Sequence, residues 1–99
     1  GAPQAVVITT PKELGAYGVL DCGAFVTAFM MAAEAKGIAT IAQASIAEMS
    51  DIVRETLGIP EDRDVLCAIS FGYSDAAHAA NQFRTERAPL DEVLFVPES

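Results

Sequence analysis

Cys22-Gly23-Ala24-Phe25-Val26-Thr27-Ala28-Phe29-Met30-Met31-Ala32-Ala33 contains no charged residue and, wound as a helix, has no polar face. A helix that is apolar all round has to be covered all round. Its small residues, Gly23, Ala24, Ala28 and Ala32, with Ala35 beyond, invite close approach of another backbone. Asp21 is a good N-cap and Lys36 suits the negative C-terminal end, so the helix is expected between them, with Gly37 in the left-handed position that follows. Phe25 and Phe29, one turn apart, and Met30 and Met31 read as core or interface filler.

Working outward, Gln4-Ala5-Val6-Val7-Ile8-Thr9-Thr10 is a β-branched run between prolines and reads as a strand. Ile38 to Ile41 is a short extended piece. Ser45-Ile46-Ala47-Glu48 has the form of a capping box, and the helix it opens places Ile46, Met49, Val53 and Leu57 on one face. Gly58 ends that helix and Pro60 prevents its return. Asp64 to Tyr73 is the second clear strand, apolar on both faces and therefore expected at the centre of the sheet. Ser74 to Glu86 is polar and irregular, Pro89 to Val93 is expected to form a helical turn, and Leu94-Phe95-Val96 a last extended piece. The fold class is therefore α+β: a short β-sheet packed on a central apolar helix and on a second, amphipathic one.

The strands and the amphipathic helix are too little material to wrap the apolar helix. Two explanations remain. The helix is buried in an oligomer, or the chain is part of a larger domain, with a dimer in addition. The second is the expectation here.

Composition narrows the function. The 99 residues carry six Lys and Arg against 14 Asp and Glu, a net charge of -8, which disfavours a nucleic-acid groove or an anionic membrane as partner. No secretory signal is visible at the start, and the uncharged run from Cys22 to Ala33 is too short to span a bilayer. Cys22 and Cys67 have no metal-ligand spacing and the chain has one histidine, His78, which reads as a solvated loop residue, so no metal site is expected. The two cysteines read as buried thiols of a cytoplasmic protein. No Ser/His/Asp set or convincing pair of carboxylates is present, so no catalytic residue is assigned. The basic residues that remain informative are Arg84 and Arg87, which flank Thr85 ahead of Pro89. In an acidic chain, two cations and a hydroxyl in four residues suit a specific anion, such as a flavin phosphate; solvated surface arginines are the plain alternative.

Six blocks occur in an order that resembles the FMN-dependent nitroreductase family: Ala2 to Thr9, Asp21 to Phe25, Ala32 to Thr40, Leu57 to Asp62, Phe71-Gly72-Tyr73, and Arg84 to Glu92. The likeness covers nearly the whole chain and matches the carboxy-terminal portion, about half, of that family's single domain. It implies a homodimeric flavoprotein that binds FMN at the subunit interface. Such a protein takes a hydride from NADH or NADPH at flavin N5 and reduces nitroaromatic or quinone-type acceptors. Position by position, the resemblance implies that Arg87 binds the FMN phosphate, with Thr85 and Arg84 as further contacts. Ala44 and Ser45 match the segment whose amides approach flavin N5 and O4, and Gln43 lines the same edge. The family's arginine-rich amino-terminal phosphate segment has no counterpart in this sequence, so the 99-residue chain by itself is expected to be an inactive fragment. The alternatives are a non-catalytic, self-associating α/β module without flavin and, last, a phosphate-ester-binding domain. The last lacks a Gly-rich loop.

Overall fold

The computed structural model describes residues 4–98. Three strands form one antiparallel sheet in the order β1-β3-β2, with β1 at Gln4–Pro11, β2 at Ala39–Gln43 and β3 at Arg63–Gly72. The run that is apolar on both faces is the central strand, as its pattern requires. Ile8 pairs with Cys67 and Thr9 with Val65, so Leu66 is an extra residue in β3 and the ladder carries a bulge there. Thr40 of β2 pairs with Phe71 on the opposite side of β3. Ile69, in the middle of β3, has 0% of its surface exposed and is the centre of the small core, with Ile8, Val65, Ala68, Val53 and Ala33.

The long helix α1 runs over Gly15–Ala35 and packs on β1 and β2. It begins a turn and a half before the expected cap at Asp21. A 3-10 turn, Lys12–Leu14, leads out of β1, and Gly15, at φ 55°, redirects the chain into the helix. Asp21 consequently sits exposed in the helix interior, and no side chain caps the helix. The C-terminal signals act as expected: Gly37 has φ 76°, and Ile38 N–H donates to Ala33 O in the closing turn.

Gly18, Cys22, Phe29 and Ala33 form the sheet-facing stripe of α1. Gly18 is buried where the helix crosses β1; a Cβ there would collide with Thr10 Oγ1 and lie 2.8 Å from Leu14 Cβ. Thr10 is itself only 2% exposed. Cys22 Sγ donates to Thr9 O at 3.7 Å, and the Phe29 ring meets Phe71 edge-on at 5.8 Å. The other sides of α1 are bare, with Tyr17 79% and Met31 69% exposed and Leu20 and Phe25 open as well. The segment Lys12–Ala35 is by length and composition able to cross a membrane, which the uncharged run taken alone is not. The sheet on its Gly18–Ala33 stripe and the charge of Asp21 are features of a core helix.

The expected capping box does not form. Ala44–Met49 is a 3-10 segment whose N-cap residue is Gln43, with no side-chain capping bond, and the α-helical turns of α2 span Ser50–Leu57. The cause is tertiary. The 3-10 segment packs on β3 and half-buries Ile46 and Ala47, while Ser45 and Glu48 stay in solvent, so neither end of the box closes. Val53 is buried as the amphipathic pattern requires, but Met49 and Leu57 are exposed. Gly58 terminates α2 at φ 68°.

After β3 the chain leaves the sheet. Residues 74–98 contain a 3-10 turn at Ala79–Asn81 and the short helix α3 at Leu90–Val93, and every one of them is exposed. Leu94 is extended, as expected, without a strand partner. The molecule exposes 7928 Å², against about 5,400 Å² for a folded monomer of this mass. Its radius of gyration is 16.5 Å, against about 13 Å for a closed domain of this length.

Candidate functional site

The expected site residues fall on two segments. Gln43 ends β2, and Ala44 and Ser45 open the 3-10 turn that follows. All three are exposed. The first amides of such a turn have no partner within it and point outward as donors. That is the property required of a backbone edge facing the carbonyl and nitrogen atoms of a flat heterocycle, although the capping box that was to position them is absent.

Arg84, Thr85 and Arg87 lie on the extended arm between the Ala79–Asn81 turn and α3. Arg87 Nη1 donates to Thr85 Oγ1 at 2.6 Å and to Glu86 O at 3.0 Å. Arginine and hydroxyl are thereby held as one unit, with the remaining guanidinium N–H groups unspent by these bonds. Arg84 turns the other way, Nη1 donating to Phe83 O at 3.0 Å and Asn81 O at 3.4 Å. The hydrogen-bond partners of both guanidinium groups among the described residues are neutral oxygens. A phosphate can exchange for such partners at lower cost than it could for a carboxylate. The chain joins Thr85 to Arg87 and leaves Arg84 apart. No hydrogen bond among the described residues links this arm to Gln43, Ala44 or Ser45.

The loop before the arm holds its shape by internal bonds. Ala77 N–H donates to Asp75 Oδ1, Asn81 Nδ2 donates to Asp75 O at 2.7 Å, and Gln82 Nε2 donates to Ala76 O. His78 is exposed, as read, but is not idle: its Nδ1 accepts from Ala80 N–H at 3.1 Å and caps the 3-10 turn. A half-open cavity of about 420 Å³ lies between this loop and the ends of β2 and β3, with Thr40, Phe71, Tyr73, His78 and Asn81 in its walls. Sequence reading missed it. Its walls come from segments some 40 residues apart, which only the β2–β3 register brings together. The free thiols are half-buried rather than buried. Burial, and secondarily Cys22 beside it, push the Cys67 thiol up from its ordinary value. Among the described residues no cluster of His, Cys, Asp or Glu could hold a metal.

A small antiparallel sheet on one long apolar helix, followed by an exposed arm that carries an arginine–hydroxyl pair, defines an α+β chain. Residues 1–73 match the model of the Nitroreductase family. This chain belongs to the nitroreductase family. Among curated relatives, it is 36% identical over 90 residues to a 4-nitrobenzoate reductase of Nocardioides sp. (strain LMS-CY), covering 91% of this chain and 36% of that protein. Among solved structures, it is similar to the FMN-dependent nitroreductase NfnB from Mycobacterium smegmatis in complex with NADPH. The TM-score there is 0.88, with 36% identity over 98% of this chain and 43% of that one. The FMN and NADPH-dependent NfnB from sphigopyxis sp. strain HMH superposes with a TM-score of 0.93 at 24% identity, over 100% of this chain and 44% of that one, and so bears on the fold alone. The chain thus spans about two fifths of the length of the relatives it matches.

Proposed function

We propose that this chain is the carboxy-terminal portion of a single nitroreductase-like domain, and that the complete protein is an FMN-dependent NAD(P)H oxidoreductase. Its substrates would be nitroaromatic or quinone-type acceptors. One observation carries the reading: the 36% identity and TM-score of 0.88 to an FMN-dependent nitroreductase over 98% of the chain. The excess exposed area supports the incomplete-domain part. Roughly 2,500 Å² beyond that of a closed monomer is on the scale of a large permanent interface. The bare sides of α1 and the apolar residues of the arm (Leu90, Val93, Phe95, Val96) are the surfaces to be covered. The rest of the domain and a second protomer would cover them. Free thiols and an acidic surface suit a cytoplasmic protein without nucleic-acid or membrane partners.

The residues present fit part of an FMN site. Arg87 and Thr85, bonded to each other, would form an anion cradle in which a charge-assisted fork and a hydroxyl donor turn to the phosphate oxygens. Arg84, one residue before Thr85, adds long-range attraction. The amides of Ala44 and Ser45 would orient the ring edge, and their fixed dipoles would favour negative charge developing there. Gln43 borders the same edge. Bound there, FMN would supply the redox chemistry, taking a hydride at N5 from NADH or NADPH and passing electrons to the acceptor. The protein side needs no acid–base pair for that, in keeping with the absence of an assigned catalytic residue. The test is anaerobic: NADPH consumption by the complete, FMN-loaded protein with 4-nitrobenzoate present. Consumption that requires both FMN and the nitroarene is expected. None with either NADH or NADPH, across nitroarenes and quinones, would remove the reading.

A further inference from the structure

The chain has two cysteines, 45 positions apart, and the fold brings both to one helix–sheet seam. Phe29 of α1 rests on Phe71 of β3. Seven residues back along α1 is two turns, the same face and about 10 Å away, and there stands Cys22. Four residues back along β3 is the same face and about 13 Å away, and there stands Cys67. The helix crosses over β3 in the same direction as that strand, because Cys22 bonds Thr9 O and Gly18 sits on Thr10, whose β1 positions pair with Val65 and Asp64, while Phe29 lies over Phe71. Cys67 pairs with Ile8, the neighbour of Thr9. Two independent contacts, one at each end of the seam, therefore set the two cysteines level along the strand direction, Cys22 over β1 and Cys67 on the adjacent β3. A disulfide needs Cα atoms within roughly 7 Å. Gly18, one turn before Cys22, is where the absence of a side chain lets the helix come down on the sheet.

We propose that Cys22 and Cys67 form a modification site, a dithiol that a hydroperoxide converts into a disulfide tying α1 to β3. The steps balance. The Cys22 thiolate attacks one peroxide oxygen, the O–O bond breaks, and the sulfenic acid forms with release of water (alcohol from an organic hydroperoxide). Cys67 sulfur then displaces the sulfenic oxygen as a second water while the S–S bond forms. Two electrons pass from the thiols to the peroxide. Cys67 is the resolving partner, since it lies on the central strand under the helix and burial pushes its thiol up, making it the weaker first nucleophile. The link would fasten the long apolar helix to the central strand, and a small dithiol such as dithiothreitol would release it.

The experiment treats the purified protein with hydrogen peroxide, denatures it in maleimide and reads intact mass and a non-reducing peptide map. The expected result is a loss of about 2 Da, the two thiol hydrogens, with no maleimide uptake and one linked peptide pair holding residues 22 and 67. Closure should be at least about tenfold faster in native buffer than in 8 M urea, because the fold supplies the proximity. Separate oxygen addition at each cysteine, linkage only between molecules, or equal rates folded and unfolded would overturn the proposal. In Cys67→Ser, dimedone should trap the sulfenic acid on Cys22. Failure of that trapping, alongside trapping on Cys67 in Cys22→Ser, would overturn the assigned order.

Discussion

Replacing Gly18 with alanine tests how closely α1 lies on the sheet. Elsewhere in a helix this change stabilises by about 1 kcal/mol, because alanine has the better propensity. Here the new Cβ would meet Thr10 Oγ1 and stand 2.8 Å from Leu14 Cβ, and Thr10, at 2% exposure, has little room to turn away. Overpacking of this sort costs about 1–3 kcal/mol, and subtracting the propensity gain leaves a net loss of up to about 2 kcal/mol. For a chain of this size the upper end is a fall in Tm of roughly 8–16 °C. Gly23, in the same helix, is the internal control. No atom lies within 4 Å of a Cβ built there, so Gly23→Ala should raise Tm by a few degrees in the isolated chain. Thermal unfolding followed by circular dichroism reads both. A Gly18→Ala protein stabilised by the full propensity gain of about 1 kcal/mol would refute the close approach on which the helix–sheet seam depends. Loss of stability in Gly23→Ala only when the complete protein is assembled would show that the bare side of α1 is covered there.

Ile69→Ala should be among the most damaging single changes, costing roughly 2–5 kcal/mol in urea unfolding, because Ile69 is fully enclosed at the sheet centre; a loss under 1 kcal/mol would mean the centre collapses freely. Stability should fall as pH rises above the ordinary thiol value of 9.0. The sign follows from Cys67, whose folded-state titration lies higher, so that above 9.0 the unfolded chain gives up its proton first and is favoured. Chemical unfolding at pH 8 and 10 should show that loss shrinking in Cys67→Ser, and an unchanged slope would clear Cys67 of it. Thr85→Val, which removes the hydroxyl that Arg87 Nη1 bonds, should weaken FMN binding by about 0.5–1.5 kcal/mol in fluorescence titration; tighter binding would mean the hydroxyl competes with the phosphate for Arg87.

Much of the fold could be read from sequence where backbone chemistry is local. Gly37 and Gly58 take the left-handed conformations expected of them, and the doubly apolar run around Ile69 is the central strand. The failures are those of local signals overruled by packing. Asp21 has the chemistry of an N-cap, but the 3-10 turn and Gly15 had already started the helix. Ser45 and Glu48 have the spacing of a capping box, but the contact of their segment with β3 draws it into a 3-10 conformation. In the candidate site, the sequence reading groups Arg84, Thr85 and Arg87 without pairing any two of them, and the structure bonds Arg87 to Thr85 while Arg84 turns to Asn81 and Phe83. The cavity depends on the register of β2 with β3, which no single stretch encodes, whereas the His78 cap is a local bond to Ala80 that the sequence reading passes over.

The most direct measurement compares FMN with riboflavin, which lacks the phosphate, as ligands of the complete protein and of its Arg87→Ala variant. Flavin fluorescence quenching gives the four dissociation constants. Wild type should prefer FMN, and Arg87→Ala should lose about 1.5–3 kcal/mol of FMN affinity while riboflavin binding is nearly unchanged. Wild-type protein that binds the two flavins equally, or an Arg87→Ala variant that keeps the full preference for FMN, would contradict the phosphate role of Arg87.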